Sequence, residues 1–277
     1  MSTTVLVLGA TGTTGSRVAQ GLRERGIVPR VVSRSRPGTD RFDWHDRATW
    51  CPALDGMQRL YLVPPTDGSD PALVVGPFLT VAADAGLQRV VLLSSSALES
   101  SSSGPGALPG LVRDAVPQWA VLQPSWFMTN ILGPTPLAAA LAAGEVVTAT
   151  GEGRVAFVDP DDIAAVAVQA LLVEPSLNTD LVLTGPSAHS YTELCALVAA
   201  RRGHPIRHRS VSAQEYTDHL VGAGVPAAYA PFLASLDGPI SRGSEDRVTD
   251  TIQRLTGRPP GTLREFVAAH TGERSAE

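Results

Sequence analysis

The amino-acid sequence predicts an α/β protein whose parallel sheet is covered by helices on both faces. Two observations carry this prediction. Short apolar runs rich in β-branched residues recur through the first half of the chain and alternate with segments of helical periodicity. No hairpin signal joins one run directly to the next, as expected where each strand returns to the sheet through a helix. With 277 residues, 43% of them hydrophobic and 18% charged, the chain can bury a large core.

The first fifty residues predict a strand, a glycine turn, a helix and a second strand. Residues 5–8 are apolar and are followed by Gly9, and residues 14–25 carry apolar side chains at helical spacing. Gly26 is a natural stop for this helix, and residues 28–33 predict the second strand. This order of elements is a βαβ unit.

The rest of the chain continues this alternation and then becomes mainly helical. The further predicted strands are residues 59–63, 89–93, 119–122 and 181–184. The further predicted helices are residues 71–85, 108–115, 126–143, 161–173, 191–202, 213–222 and 245–256. Residues 99–106 consist of Glu, Ser, Gly and Pro, and this composition predicts a mobile loop.

Composition excludes several classes of function. The net charge of −5 disfavours nucleic acid and anionic membrane surfaces as partners, and no apolar stretch approaches the roughly 20 residues of a membrane span. Cys51 and Cys195 stand alone and the six histidines lack metal spacing, so we predict a cytoplasmic protein without a metal site. All 22 basic residues are arginine, which excludes Schiff-base catalysis, a Walker A loop and the Tyr-x-x-x-Lys pair of ordinary short-chain dehydrogenases.

A glycine-rich motif lies between the first predicted strand and the first predicted helix. It reads Gly9-Ala-Thr-Gly12-Thr-Thr-Gly15. Gly9 permits the tight turn, Gly12 lets the backbone approach a pyrophosphate, and Gly15 lets the helix pack close to the sheet. In this context the motif predicts a Rossmann-type dinucleotide site, and a tight turn without a ligand is the alternative.

The end of the second predicted strand indicates which dinucleotide binds. NAD-selective proteins place an acid there for the ribose 2′-hydroxyl, whereas this chain reads Ser33-Arg34-Ser35-Arg36 and has no acid before Asp40. Arg34 can offer its planar fork and Ser33 its hydroxyl to a 2′-phosphate. We therefore predict NADP(H) as the cofactor, with solvated loop arginines as the alternative.

Several motifs carry a family resemblance that spans nearly the whole chain. They are GATGTTG from Gly9 to Gly15, Phe42-Asp43-Trp44, Tyr61-Leu62-Val63-Pro64-Pro65, Leu92-Leu93-Ser94-Ser95-Ser96, Pro124-Ser125-Trp126-Phe127-Met128 and Leu255-Thr256-Gly257-Arg258-Pro259-Pro260. Together they resemble the NmrA-like group of atypical short-chain dehydrogenases, and within it the bacterial relatives of the ergot-alkaloid agroclavine dehydrogenases. The resemblance implies an NAD(P)H-dependent reductase of small organic molecules, typically imines, iminium ions or quinones.

The resemblance also assigns residues to parts of the cofactor. It implies a pyrophosphate cradle at Gly9, Thr11, Gly12, Thr13, Thr14 and Gly15, and a 2′-phosphate site at Ser33 and Arg34. It places Asp43 and Trp44 beside the adenine, Val63, Pro64 and Ser94 at the ribose and nicotinamide, and Pro124, Ser125 and Trp126 at the far end of the nicotinamide. The matching domain organisation is a Rossmann core over residues 1–150, a further core helix and strand over 151–184, and a small, mostly helical substrate lobe over 185–277.

The catalytic residues are less sharply marked than the cofactor site. Hydride transfer to an electrophilic C=N bond or a quinone needs mainly proximity and orientation. A carbonyl acceptor also needs a proton or hydrogen bond, for which Ser95, Ser96 and Trp126 are the candidate catalytic residues and a tyrosine elsewhere the alternative. Asp159, Asp161 and Asp162 are interpreted as a helix start, favoured over a cation site.

Three functions stay open from the sequence. The first is an NADPH-dependent reductase acting on an imine, iminium ion, quinone or enone in natural-product metabolism. The second is a redox sensor that binds NADP(H) without turnover, and the third is a non-redox cyclase or isomerase. All three predict a small-molecule ligand and either a monomer or a homodimer, with no nucleic-acid or membrane partner.

Overall fold

The computed structural model describes residues 3–34 and 40–270. Strands and helices alternate as far as Pro124. In chain order these elements are β1 (Val5–Val7), α1 (Thr13–Glu24), β2 (Arg30–Val31), α2 (Trp50–Leu54), β3 (Arg59–Leu62), α3 (Ala72–Asp84), β4 (Arg89–Leu93), α4 (Leu108–Ala115) and β5 (Gln118–Pro124).

The remainder of the described chain is richer in helix. Its elements are α5 (Pro136–Ala143), β6 (Glu145–Thr148), β7 (Arg154–Val155), α6 (Pro160–Leu172), β8 (Thr179–Leu183), β9 (His189–Ser190), α7 (Tyr191–Arg202), β10 (Arg207–Ser210), α8 (Ala213–Gly222), α9 (Ala230–Ser235), α10 (Asp237–Ser241), α11 (Thr251–Thr256) and α12 (Leu263–His270). None of the helices within residues 3–34 and 40–270 has the length and apolar character that a membrane span requires.

The chain divides into two compact units. The first unit comprises the described parts of residues 1–124, 160–183 and 251–258, and the second those of residues 125–159, 184–250 and 259–277. The chain thus passes between the units several times. Residues 125–150, which the sequence analysis assigned to the Rossmann core, lie in the second unit, and residues 251–258 return to the first.

The first unit is built on a six-stranded sheet in the order β2-β1-β3-β4-β5-β8. Every neighbouring pair in it is parallel. The prediction of a parallel, Rossmann-type α/β sheet is therefore confirmed. Because the strands are parallel, their carboxyl ends meet at one edge of the sheet, which is where open α/β sheets bind ligands.

Alternating side chains cover the two faces of this sheet. Leu60 and Leu62 belong to a buried cluster that includes Phe78 of α3. Tyr61 points the other way and donates a hydrogen bond from its hydroxyl to Thr14 of α1 at 3.0 Å. On this second face α6 contacts α1 and strands β3, β4 and β5. Strand side chains alternate because successive Cβ atoms point to opposite faces.

A buried arginine ties β4 to the end of α6. The Arg89 side chain is fully buried, and its Nη1 donates to the carbonyl oxygens of Leu171 at 3.0 Å and Val173 at 2.8 Å. Its Nη2 donates to Glu174 at 2.9 Å. Arg89 thus supplies donors for helix-terminal carbonyl groups that lack an intrahelical partner.

The second unit has its own core and two small sheets. Its buried cluster includes Phe157, Leu194 and Phe266. Strands β6 and β10 pair in parallel, and β7 pairs antiparallel with β9. The sequence analysis missed these four strands, since they are short and the polar β10 lacks any hydrophobic pattern.

Two predicted helices were longer than the real ones. The helix predicted over residues 126–143 is replaced by a 3-10 turn at Met128–Ile131 followed by α5. Gly133 has φ of +67° and two prolines follow within three residues, which ends the first turn and starts a new helix at Pro136.

The second overlong helix was predicted over residues 245–256, and only Thr251–Thr256 is helical. Thr249 donates its backbone N–H to the Thr184 hydroxyl at 2.9 Å, and this bond to a distant segment replaces a helical one. By contrast, the helix start at Pro160 is confirmed, with Asp161 and Asp162 in its first turn.

Candidate functional site

The turn after β1 is shaped by three glycines at short distances from one another. Gly9 has φ of +65°, a left-handed conformation that favours glycine. The Gly12 N–H donates to the Gly9 carbonyl at 2.9 Å. A Cβ atom on Gly15 would lie 2.2 Å from the Gly9 carbonyl oxygen. The motif therefore forms a compact turn in which the backbone conformation of Gly9 favours glycine and the position of Gly15 leaves no room for a side chain.

The start of α1 presents backbone donors beside this turn. Gly12 is the N-cap residue and has no side chain to satisfy the first N–H groups of the helix. Thr11 and Thr13 are exposed, whereas Thr14 is buried and its hydroxyl accepts the Tyr61 hydrogen bond. Of the predicted cradle, Thr14 can therefore offer only its backbone to an anion, and the free N–H groups and helix dipole supply the attraction.

The end of β2 carries the residues predicted to hold a 2′-phosphate. Ser33 pairs with the loop that follows, through its N–H to the Asp40 carbonyl at 3.1 Å and its carbonyl to the Phe42 N–H at 3.0 Å. Arg34 is exposed. Arg36 lies outside the described residues. The structure thus leaves Arg34 accessible to solvent and to a ligand at the carboxyl edge of the sheet.

Asp43 and Trp44 follow on a loop that is held by aromatic packing. Trp44 packs edge-on against Phe42 and Phe78, with ring centroids 5.0 and 5.1 Å apart. The Asp43 carboxylate accepts the His45 N–H at 3.0 Å. The loop is therefore a defined platform beside the sheet, as the proposed adenine contact requires.

A contact between two loops adjoins this platform and was not predicted. His45 Nε2 lies 2.6 Å from the Asp67 carboxylate, which joins the loops that follow β2 and β3. The Ser69 hydroxyl, which donates to Asp67 at 2.6 Å, and then His45 hold the pKa of Asp67 well below its usual range. No sequence signal marks such a pair, because its members are 22 residues apart on separate loops.

Four predicted site residues line one cavity at the carboxyl ends of β3 and β4. The cavity has a volume of about 260 Å³, and its walls include Val63, Pro64, Ser94 and Ser95. Val63 also faces the glycine turn, since a Cβ atom on Gly9 would lie 3.1 Å from the Val63 Cβ. The structure thus brings the glycine turn and the predicted nicotinamide residues of β3 and β4 to the same edge.

Apart from Thr66, the remaining walls of this cavity are apolar. Leu98, Pro105 and Leu108 line it from the segment that connects β4 to α4 and from the start of α4. Ser95 is half-buried, and its hydroxyl oxygen accepts the Ala97 N–H at 3.2 Å. Within residues 3–34 and 40–270 the Ser95 hydroxyl proton has no acceptor, so it can be donated to a ligand.

The serine-rich segment beside the cavity follows a defined path. The Gly104 N–H donates to the Asp70 carboxylate at 2.9 Å. A Cβ atom on Gly106 would lie 2.2 Å from the Glu99 carbonyl oxygen, so this glycine permits a close backbone approach. The mobility of this loop, inferred from its composition, stays a prediction.

Ser125 and Trp126 belong to the second unit, immediately after β5. The Ser125 hydroxyl donates to the Glu245 carboxylate at 3.1 Å, and both side chains are buried. Trp126 is half-buried and packs against the core of the second unit. The indole therefore has a structural role in this unit, and its assignment as a catalytic residue stays a prediction.

No tyrosine of the first unit is available to donate a proton to a ligand. Tyr61 is fully buried, and burial raises the pKa of its hydroxyl above the usual range. Because that hydroxyl is committed to Thr14, Tyr61 supports the glycine turn and does not face a ligand. Tyr191 and Tyr216 lie in the second unit, where burial raises the pKa of Tyr216 to about 12.

The second unit contains a buried acid with a perturbed pKa. Asp237 is 6% exposed, and burial raises its pKa to about 6. Its carboxylate accepts the Ala149 N–H at 2.8 Å, which opposes this rise. A buried carboxylate that is ionised at neutral pH lowers the free energy of unfolding.

We expect the substitution Asp237→Asn to stabilise the protein at neutral pH by about 1–3 kcal/mol, the scale of a two-unit pKa shift. Because the pKa of Asp237 is raised in the folded state, protonated Asp237 makes its full contribution to the free energy of unfolding below the unfolded pKa of about 4. This contribution is lost as the pH rises through about 6. Urea unfolding of Asp237→Asn and of the wild type at about pH 4.5 and pH 7.5 should show that the difference between their free energies of unfolding increases with pH.

Asp218→Asn is the matched control, because Asp218 is an exposed acid on α8. It should leave the pH dependence of unfolding unchanged. If Asp237→Asn were as stable as the wild type at both pH values, burial of the Asp237 charge would not destabilise the fold.

Comparison with known proteins assigns the chain to a group of oxidoreductases. It is 41% identical over 271 residues to the oxidoreductase YesF of Bacillus subtilis (strain 168), covering 96% of this chain and 94% of YesF. It is 32% identical over 290 residues to the agroclavine dehydrogenase of Claviceps purpurea, covering 99% and 98%. No protein-family model matches the chain.

Solved structures with low sequence identity share the fold. An NADPH-dependent quinone oxidoreductase of Escherichia coli, solved with NADPH, superposes with a TM-score of 0.76 at 24% identity and covers 96% of this chain and 99% of that one. A nucleoside-diphosphate-sugar epimerase of Staphylococcus aureus gives 0.79 at 18% identity and covers 96% and 99%. The parallel sheet, the glycine turn and these full-length relatives together show that the chain belongs to the oxidoreductase family that includes YesF and the agroclavine dehydrogenases.

Proposed function

We propose that this protein is an NADPH-dependent reductase, an atypical short-chain dehydrogenase of the NmrA-like group, that transfers a hydride to an imine, iminium ion, quinone or enone. The observation that carries the proposal is the compact glycine turn of Gly9, Gly12 and Gly15 at the carboxyl edge of the sheet. The full-length relatives are oxidoreductases, and one of them, at 30% identity, is an NAD(P)H azoreductase of Xenophilus azovorans.

The residues of the first unit fit the parts of NADPH. The turn and the N–H groups at the start of α1 would bind the pyrophosphate, and exposed Arg34 would bind the 2′-phosphate. The loop with Asp43 and Trp44 would contact the adenine. Val63, Pro64 and Ser94 would contact the ribose and nicotinamide, with Pro124 at its far end.

The hydride in this reaction would come from bound NADPH. The chain's own residues orient the acceptor and control the proton. An iminium ion becomes a neutral amine when it gains a hydride, so it needs no proton from the protein. A quinone or enone gains negative charge on oxygen, and the Ser95 hydroxyl would donate a hydrogen bond or proton to that oxygen.

The chain lacks the tyrosine and lysine pair of ordinary short-chain dehydrogenases. It contains no lysine, and Leu108 lines the cavity at the start of α4. An apolar wall excludes water, so the cavity would select its acceptor mainly by the acceptor's shape. This arrangement supports acceptors that are already electrophilic over simple ketones.

We expect Ser95→Ala to lower kcat for a quinone or enone by about 10- to 100-fold, because general-acid assistance is lost. Reduction of a cyclic iminium ion by the same variant should keep its kcat, since no proton is needed. Steady-state kinetics with both acceptors measures the contrast. Ser100→Ala, at an exposed serine of the adjacent segment, should change neither rate.

The function is tested by titrating the purified protein with NADPH and NADH and then adding a quinone and a cyclic imine. We expect NADPH to bind at least about tenfold more tightly than NADH, with turnover of one or both acceptors. Tight binding without turnover across a broad acceptor panel would contradict the reductase and favour a sensor or a non-redox enzyme. Absence of binding would refute the cofactor assignment.

A further inference from the structure

The second unit contains a groove that the reductase chemistry of the first unit does not use. Its volume is about 590 Å³, within the range of about 300–1,000 Å³ typical of small-molecule sites. Helices α5 and α8 form its sides and β6 its floor. Leu137 and Ala140 of α5, Val146 of β6 and Leu220 of α8 make most of its surface apolar.

Two tyrosines are among the polar residues that line this groove. Tyr191 is 5% exposed, and Tyr216 is half-buried. The hydroxyl groups of both make no hydrogen bond to any residue in the described ranges 3–34 and 40–270. Within the described residues neither hydroxyl oxygen is a buried atom without a partner, so both are accessible and can bond to water or to a ligand.

Both tyrosine hydroxyls stay neutral, and both residues line the same groove. Burial, and then the charge of Asp237 and the proximity of Tyr216, raise the pKa of Tyr191 well above its usual value. Burial and Asp237 likewise raise the pKa of Tyr216. Two neutral hydroxyl groups can each donate and accept one hydrogen bond, which suits a hydroxyl or carbonyl group on the ligand.

The charges around the groove disfavour an anionic ligand. Its titratable wall residues are Glu145 and His219 besides the two tyrosines, and no arginine contributes to the wall. Arg209 lies 3.5 Å from Glu145 and is thereby paired. Because this pairing also compensates the charge of Glu145, the negative group that a ligand carboxylate or phosphate would meet is the buried carboxylate of Asp237, which raises the pKa of both tyrosines.

We propose that this groove binds a neutral aromatic molecule, with its ring between α5 and α8 and a hydroxyl or carbonyl oxygen at Tyr191 and Tyr216. The site lies entirely within the second unit. Its occupancy therefore does not depend on the proposed reductase activity, and a failure of either proposal leaves the other standing.

The test uses ligands that share one ring system and differ in their substituent. Binding of 1-naphthol, 1-methylnaphthalene and 1-naphthoate to the full chain is measured by equilibrium dialysis at neutral pH. We expect 1-naphthol to bind about 2- to 10-fold more tightly than 1-methylnaphthalene, the scale of one or two hydrogen bonds. We expect 1-naphthoate to bind most weakly. Equal binding of the naphthoate and the naphthol would overturn the proposal.

One pair of variants locates the bound ring. Ala139 and Ala142 are both exposed on α5, and only Ala139 lines the groove. Ala139→Trp should weaken 1-naphthol binding about tenfold or more by filling the groove, and Ala142→Trp should leave it unchanged. Unaltered naphthol binding in Ala139→Trp would overturn the proposal.

The double variant Tyr191→Phe/Tyr216→Phe should remove the preference for 1-naphthol over 1-methylnaphthalene while leaving the binding of the latter intact. A preference that survives in this variant would show that the hydroxyl is not bound by the tyrosines. Thermal unfolding of each variant confirms that it is folded, because the two hydroxyls contribute no internal hydrogen bond.

Discussion

Replacing Gly15 with alanine is expected to lower the affinity for NADPH by about 10- to 100-fold, the scale of overpacking a rigid site. The new Cβ atom would lie 2.2 Å from the Gly9 carbonyl oxygen and 2.6 Å from the Gly9 carbonyl carbon. Both atoms belong to the backbone of the turn, so α1 has to move away from it. The N–H groups at the start of α1 would then no longer converge on the pyrophosphate. NADPH fluorescence titration measures the loss.

Two further glycines make this experiment specific. Gly110 lies in α4, and a Cβ atom there meets no atom within 4 Å, so Gly110→Ala should keep the affinity for NADPH. Gly12→Ala introduces a milder contact of 3.3 Å with the Gly9 carbonyl oxygen and should have an intermediate effect without unfolding. Full NADPH affinity in Gly15→Ala would contradict a cofactor site at this turn.

Replacing Arg34 with alanine is expected to weaken NADPH binding by about 10- to 100-fold and to leave NADH binding unchanged. The guanidinium is exposed at the end of β2, where charge-assisted hydrogen bonds to a 2′-phosphate can form. NADH lacks that phosphate and loses nothing. Parallel titrations with the two nucleotides at low ionic strength measure the effect, because salt screens exposed charges.

A neighbouring arginine provides the control for general charge effects. Arg41 is also exposed, but its guanidinium Nη1 lies 2.7 Å from the Asp46 carboxylate. Arg41→Ala should therefore change NADPH and NADH binding equally little. If Arg34→Ala lowered the affinity for NADPH and for NADH to a similar extent, Arg34 would support the loop and would not bind the 2′-phosphate.

Much of the first unit could be predicted because its signals are local. The helix over residues 108–115 agrees with α4 at both ends, and the strand over residues 89–93 agrees with β4. The glycine spacing between β1 and α1 matches a turn in which Gly15 tolerates no side chain. Apolar periodicity and glycine stereochemistry act over a few residues and can be read without the fold.

Other features depended on partners far along the chain. Strand β10 reads Arg-His-Arg-Ser and forms only because it pairs with β6 about sixty residues earlier. Thr14 was predicted to belong to the phosphate cradle because of its place in the glycine motif. Its hydroxyl instead accepts a hydrogen bond from Tyr61, which turns the side chain away from the predicted cradle. The link between His45 and Asp67 likewise arises from loops that only the sheet brings together.

The sequence by itself determined the α/β class, the glycine turn, the absence of lysine and the lack of an acid before Asp40 at the end of β2. These follow from residue type and short-range periodicity, which tertiary packing does not alter. Only the tertiary structure decided that the chain divides at Pro124, that Val63 and Ser95 share one cavity and that Tyr191 and Tyr216 share a groove. Such groupings depend on sheet order and helix packing, which join side chains that are distant in the sequence.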